Sequence, residues 1–239
     1  MNKETLVIEL LKLGIELSKE KIEQIEEFCL FLLSENKKYN LTAIRELEEV
    51  YLKHVYDSLT LIKAKDLTKE QTLLDIGSGG GFPGIILKIV FPTLKITLLD
   101  SNSKKTKFLE LVKNKLKLDN LTIINARAEE YIINARECYD LVTARAVASL
   151  NVLVELAVPF LKTSGYFIAM KADILSEIEL AKQSALILNF KIEEIIELKL
   201  PIQNSLRNLV VIRKLDKTPI KYPRRYEQIM KKPLIINQK

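Results

Sequence analysis

From Leu67 onward the chain alternates short apolar runs with amphipathic stretches of helical period, and this alternation narrows the accessible folds more than any other feature. Strands are predicted at 72–76, 96–99, 121–124, 140–143, 166–170, 191–198 and 208–212, with helices near 84–90, 103–117, 149–161 and 174–188. Parallel strands cannot be joined by tight hairpins, and a helix is the usual crossover between them. Strand–helix repetition therefore predicts an α/β fold: a mostly parallel, seven-stranded, Rossmann-like sheet with helices on both faces.

The first 64 residues have another texture. Leu6, Val7, Leu10, Leu11 and Leu13 recur at helical spacing before Gly14; Ser18 can cap a second helix carrying Ile22, Ile25, Phe28, Cys29, Leu32 and Leu33; a third is predicted at about 46–63. The expected organisation is an N-terminal helical extension (1–64), a core (65–215) and a basic tail (216–239) that packs irregularly over the surface. Lys and Arg number 9 against 12 acids in the first part, 21 against 17 in the second and 7 against 2 in the third. Positive potential is thus concentrated towards the C-terminus, which makes a polyanion such as nucleic acid a plausible partner. No apolar run reaches the roughly 18 residues of a membrane span, and the N-terminus does not read as a signal peptide. Two cysteines, Cys29 and Cys138, suggest neither a disulfide framework nor a metal site. A cytoplasmic protein with no membrane partner is expected.

The first predicted strand runs directly into Gly77-Ser78-Gly79-Gly80-Gly81-Phe82-Pro83-Gly84, which holds five of the seven glycines in the chain. Glycine permits positive φ and close approach of backbone to a ligand, the logic of a nucleotide-cofactor loop at a strand-to-helix turn. Charge indicates which cofactor. A dinucleotide would lay an anionic pyrophosphate on this loop, where Asp75, two residues before the first glycine, is unwelcome. S-adenosylmethionine brings an ammonium and a sulfonium, both favoured by a carboxylate. Asp75, Gly77 and Gly79 are therefore cofactor-binding candidates, and Asp100, at the end of the second strand, can accept from ribose hydroxyls.

Ligands of open α/β sheets bind outside the carboxyl ends of the strands, so the polar residues just after each strand deserve inspection. They are Asp75, Asp100 with Lys104, Arg127 with Ala128 and Glu129, Arg145, and Lys171. The Ala128 N–H and the Glu129 carboxylate can read an adenine edge. Arg145 ends a buried strand and needs either a structural carboxylate or a ligand; the ligand is slightly favoured. His54 falls on the apolar face of the third helix and is expected to be hydrogen-bonded in a helix–sheet interface rather than to touch substrate. Lys104, Lys105, Lys107, Lys113, Lys115 and Lys117 form either a solvated face or an RNA track. The tail interleaves basic residues with Tyr222 and Tyr226, a mixture suited to phosphate contact and base stacking, or simply to packing. From the residues alone, a methyltransferase acting on RNA is favoured over one acting on a protein or small molecule, and Asp75 argues against a nicotinamide oxidoreductase.

Several segments together carry a family resemblance. Asp75–Gly84 (DIGSGGGFPG), Leu98–Ser101 (LLDS) with Lys104 and Lys105, Arg127–Glu129 (RAE) and Thr143–Ala148 (TARAVA) resemble the ribosomal RNA small-subunit methyltransferase G family, also called glucose-inhibited division protein B. Asn40–Ile44 (NLTAI), His54 with Asp57, Arg207–Lys214 and Tyr222–Arg225 extend the likeness over about 200 residues. The resemblance implies a class I S-adenosylmethionine-dependent methyltransferase fold and methyl transfer to N7 of one guanine in 16S ribosomal RNA; the expected partner is that RNA or the small ribosomal subunit, and a monomer is expected. It implies cofactor contacts from Gly77, Phe82, Ala128, Glu129 and Arg145, with Asp100 near the ribose, and a cationic group of Lys104, Arg127, Arg145 and Lys171 near the target nucleotide. Lys171 departs from the family pattern in being followed by Ala172 and Asp173, where a glycine is usual, and the tail after Arg225 lacks the common Gly and Pro. Guanine N7 has a free lone pair and no proton to lose, so such a reaction asks for alignment rather than a general base. The absence of a Ser–His–Asp set from the sequence pattern agrees with that.

Overall fold

The structure is a computed structural model and describes residues 1–234. Seven strands form one sheet: β1 (Thr72–Ile76), β2 (Lys95–Asp100), β3 (Leu121–Asn125), β4 (Tyr139–Arg145), β5 (Leu161–Lys171), β6 (Phe190–Lys199) and β7 (Leu206–Lys214), in the order β3-β2-β1-β4-β5-β7-β6. β1 to β5 are parallel, and β7 lies antiparallel between β5 and β6. Because successive side chains of a strand point to opposite faces, the apolar runs feed two cores. Leu73, Ile96, Leu98, Leu141 and Ile168 enter one, and Leu74, Ile76, Leu99, Val142 and Phe167 the other.

The first core is closed by α1 (Lys3–Lys12), α2 (Lys19–Tyr39), a helical segment over 47–63, α5 (Gly84–Val90) and α6 (Ser103–Lys115). The 47–63 segment comprises α3 (Leu47–Val50), a π-helical turn at Tyr51–Tyr56, α4 (Asp57–Leu59) and a 3-10 turn at Thr60–Lys63. Ser18 caps α2 by accepting from the Lys21 N–H at 3.4 Å, and Asn40 ends that helix in the left-handed region. The N-terminal residues thus share an uninterrupted core with the sheet, with Phe28 of α2 placed 5.2 Å from the ring of Phe82 in the glycine loop. The second core is closed by α7 (Ala128–Ala135), α8 (Leu150–Ala157), α9 (Leu175–Gln183), α10 (Ala185–Leu188) and α11 (Tyr226–Lys231). Among the described residues, no helix is long and apolar enough to cross a membrane.

Several boundaries differ from the sequence expectation. The helix predicted over 149–161 stops at Ala157, where Pro159 falls in a 3-10 turn, and β5 starts at Leu161 although Lys162, Thr163 and Ser164 break the apolar run. The helix predicted over 174–188 is interrupted at buried Ser184, whose hydroxyl donates to the Ala181 carbonyl. The third N-terminal helix contains a π turn that periodicity alone does not distinguish, a local widening frequent at functional sites. Residues after Arg225, expected to be irregular, form the short α11, with Ile229 fully buried.

Candidate active site

The strand order reverses between β1 and β4, and the crevice outside their carboxyl ends is where such sheets bind ligands. The glycine loop fills the β1 side, and its backbone is fastened by the two strand-end carboxylates. Asp75 Oδ2 accepts from the Gly84 N–H at 3.0 Å, while Asp100 Oδ2 accepts from the Gly79 N–H at 2.8 Å and Asp100 Oδ1 from the Asn102 N–H at 2.8 Å. Gly77 N–H donates to the Leu99 carbonyl at 2.7 Å. Gly77 needs to be glycine for two reasons: its φ is +70°, and a Cβ there would lie 2.4 Å from Val147 Cγ2.

Two cavities meet at Gly77, Lys105 and Ala146. The smaller, about 340 Å³, is bordered by Asp100, Ser101, Arg127, Ala128, Glu129, Leu156 and Tyr226 among others. The larger, about 710 Å³, is bordered by Lys53, His54, Asp57, the glycine loop with Phe82, Arg145, Lys171, Asp173, Glu177 and Arg207. Both volumes suit small-molecule binding. Five cationic side chains (Lys53, Lys105, Arg145, Lys171 and Arg207) face three carboxylates around the larger one, leaving its lining net positive.

The 47–63 segment, β4 and β7 converge on that larger cavity through Asp57. Asp57 Oδ2 accepts from Arg145 Nη1 at 3.1 Å and Asp57 Oδ1 from Arg207 Nε at 3.1 Å. Arg145 Nη1 also donates to the Lys53 carbonyl at 3.0 Å and Nη2 to His54 Nδ1 at 3.1 Å. Nδ1 also lies 3.1 Å from the Lys53 carbonyl, which can only accept, whereas the guanidinium can only donate, so the two contacts call for opposite tautomers of the neutral ring; Nε2 lies 2.8 Å from the Thr42 hydroxyl, which can donate or accept. Burial, followed by the neighbouring Arg145 charge, pulls the His54 pKa down to about 3. The imidazole stacks on Phe82 with ring centres 4.5 Å apart. Lys171 Nζ pairs with Glu177 Oε2 at 2.8 Å and donates to the Ala148 carbonyl at 2.9 Å.

Asp100, Arg127, Ala128 and Glu129 therefore gather around the smaller cavity, Phe82, Arg145, Lys171 and Gly79 around the larger, and Gly77 borders both. Two residues stand elsewhere. Lys104 is exposed and borders neither cavity, because its place on the first turn of α6 turns it outward and brings Lys105 to the loop instead. Asp75 is wholly buried behind the loop; it borders neither cavity and fastens the loop at Gly84. Of the two partners that the sequence leaves open for Arg145, the carboxylate is present as Asp57, and the side chain also borders the larger cavity, where a ligand could reach it. Lys53, Asp57, Lys105, Arg207 and Tyr226 were missed as site residues. The His54-x-x-Asp57 spacing was the available signal for Asp57, but its two arginine partners lie 88 and 150 residues away in sequence.

The donor set fits S-adenosylmethionine. Asp75 Oδ1 is buried without a hydrogen-bond partner, and burial, opposed by the Gly84 N–H, raises the carboxyl to about 7, so a cation placed on the loop would favour its ionised form. Asp100 and Glu129 border the smaller cavity, and although Asp100 already accepts from the Gly79 and Asn102 N–H groups, a carboxylate keeps further lone pairs.

The fold recurs in solved methyltransferase structures. An S-adenosylmethionine-dependent O-methyltransferase from Thermotoga maritima superposes with a TM-score of 0.52 at 17% identity, over 79% of this chain and 72% of that one. A precorrin-6y C5,15-methyltransferase from Geobacter metallireducens gives 0.50 at 16% identity, over 74% and 91%. The architecture is thus that of the Rossmann-like class I S-adenosylmethionine-dependent methyltransferases, with an N-terminal helical addition. Sequence comparison is more specific. The family model for rRNA small subunit methyltransferase G matches residues 21–208. A ribosomal RNA small subunit methyltransferase G from Caldanaerobacter subterraneus subsp. tengcongensis is 45% identical over 93% of this chain and 94% of its own. One from Bacillus subtilis is 44% identical over 98% and 99%. This chain belongs to the rRNA small subunit methyltransferase G family.

Proposed function

We propose that the protein transfers a methyl group from S-adenosylmethionine to N7 of one guanine in the 16S RNA of the small ribosomal subunit. The observation that carries this reading, beside family membership, is the junction at Gly77 of a cavity edged by Asp100 and Glu129 with a larger, net-positive cavity. When bound, the cofactor supplies an electrophilic methyl on a sulfonium that departs as a neutral thioether. Asp100 and Glu129 would hold its nucleoside end, and the Gly77–Gly79 backbone would pass beneath it. Lys53, Lys105, Arg145, Lys171 and Arg207 would hold the phosphates and O6 edge of the RNA, fixing N7 for in-line attack. N7 needs no deprotonation, and His54, neutral with both ring nitrogens engaged, positions Phe82 and Arg145 instead.

With methyl-labelled S-adenosylmethionine, the label should enter small-subunit RNA or the small particle from cells lacking the enzyme, and mass spectrometry should place it on a single 7-methylguanine. Label confined to protein or small metabolites would remove the substrate assignment.

The Asp75 environment adds a pH dependence. A cationic ligand favours the carboxylate, so affinity is present above the pKa and lost as the group protonates below it. With the carboxyl raised to about 7, affinity for S-adenosylmethionine should rise up to about tenfold between about pH 6 and about pH 8. Calorimetric titration across that range checks it; a flat profile, or an unchanged rise in Asp75→Asn, contradicts it.

A further inference from the structure

Glu155 of α8 has no exposed surface, yet it is ionically paired with the C-terminal segment rather than with its own layer. Its Oε1 accepts from Arg224 Nε at 2.8 Å and from the Arg224 backbone N–H at 2.9 Å, and its Oε2 accepts from Nη2 at 2.6 Å. Arg224 Nη1 donates onward to the Lys232 carbonyl at 2.9 Å, and Arg136 Nη2 donates to the Tyr222 carbonyl. A buried bidentate pair gives fixed geometry at a cost in desolvation and is weak evidence of net stabilisation, so what it holds in place is the informative question. It holds Tyr226. Two residues beyond Arg224, Tyr226 borders the smaller cavity together with Leu156, Ala128 and Glu129, and its backbone N–H donates to Glu129 Oε1 at 3.3 Å. The tail therefore reaches back to complete a wall of the smaller cavity.

We propose that Tyr226 is a cofactor-binding residue, its ring forming the outer wall against the purine nucleoside, and that Glu155 and Arg224 are positioning residues that hold it there. The inference rests on the reading of this cavity as the cofactor site. It assigns this part of the tail to the methyl donor, where the interleaving of basic and aromatic residues suggested contact with RNA. An aromatic face beside a carboxylate acceptor suits a purine bearing an exocyclic amine: the ring covers its face and Glu129 Oε2 is left to accept from its edge.

The test is calorimetric titration of the full chain with S-adenosylmethionine, alongside thermal melting and binding to small-subunit RNA without cofactor. Tyr226→Ala should weaken cofactor binding about tenfold, the scale of losing one ring that stacks on a base, with unchanged melting temperature and RNA affinity. Tyr226→Phe, which keeps the ring, should restore most of the loss. Arg224→Ala should raise the KM for S-adenosylmethionine more than it lowers kcat. A Tyr226→Ala chain that binds cofactor like the wild type, or loses RNA affinity instead, overturns the proposal alone. A wild-type chain that takes up no S-adenosylmethionine overturns the cofactor reading and the proposal with it.

Discussion

Replacing Gly77 by alanine is expected to cost about a hundredfold or more in cofactor affinity and turnover, the scale of a displacement of about 1 Å in a catalytic site. Two effects combine. The left-handed φ of +70° strains any L side chain, and the added Cβ would sit 2.4 Å from Val147 Cγ2, well inside the 3.0 Å that real Cβ contacts essentially never breach. Val147 must move, and it borders the smaller cavity next to Ala146, which borders both. Gly14→Ala is the control. It carries a similar φ of +80° with nothing within 4 Å of the new methyl, so it should lose only about 1–2 kcal/mol of stability and keep its activity. Equal losses of cofactor affinity in both variants would show that the clash is not what matters at Gly77.

Asp57→Ala should have the largest effect on stability, about 3 kcal/mol in urea unfolding, the low end of the range for breaking a buried ion pair. Asp57 is 4% exposed at its side chain and satisfies Arg145 and Arg207, which are 15% and 22% exposed. Removing it leaves two guanidiniums facing each other across one small void, with their remaining access to water moderating the cost. Activity should fall further than stability requires, because Arg145 loses the contact that directs it over the ring of Phe82, 5.4 Å from the guanidinium carbon. A loss below about 1 kcal/mol, within the range of exposed pairs, would mean that the network is a surface feature.

The sheet is legible because most of its strands carry a short apolar run between helical stretches, and the binding crevice because a strand carrying Asp75 leads into five clustered glycines. What escaped depends on distances that sequence does not carry. Asp57, Arg145 and Arg207 sit on three elements and meet only once the fold brings the end of β4 and the start of β7 to the 47–63 segment. Lys104 and Lys105 are adjacent in sequence, and only the phase of α6, set by Asn102 accepting from both of their N–H groups, decides which one reaches the loop. Tyr226 looked like part of a basic arm because its anchor, Arg224 on Glu155, crosses 69 residues. The sequence places the Asp75 carboxylate near the ligand; the fold keeps it close behind the glycine loop.

Cofactor selection by the buried acid behind that loop is the claim on which the rest depends. Titrating the purified chain with S-adenosylmethionine and, separately, with the oxidised and reduced nicotinamide dinucleotides tests it directly. Saturable binding of the sulfonium compound, with no measurable uptake of the dinucleotides, is the predicted result. Binding of a dinucleotide without binding of S-adenosylmethionine would contradict it.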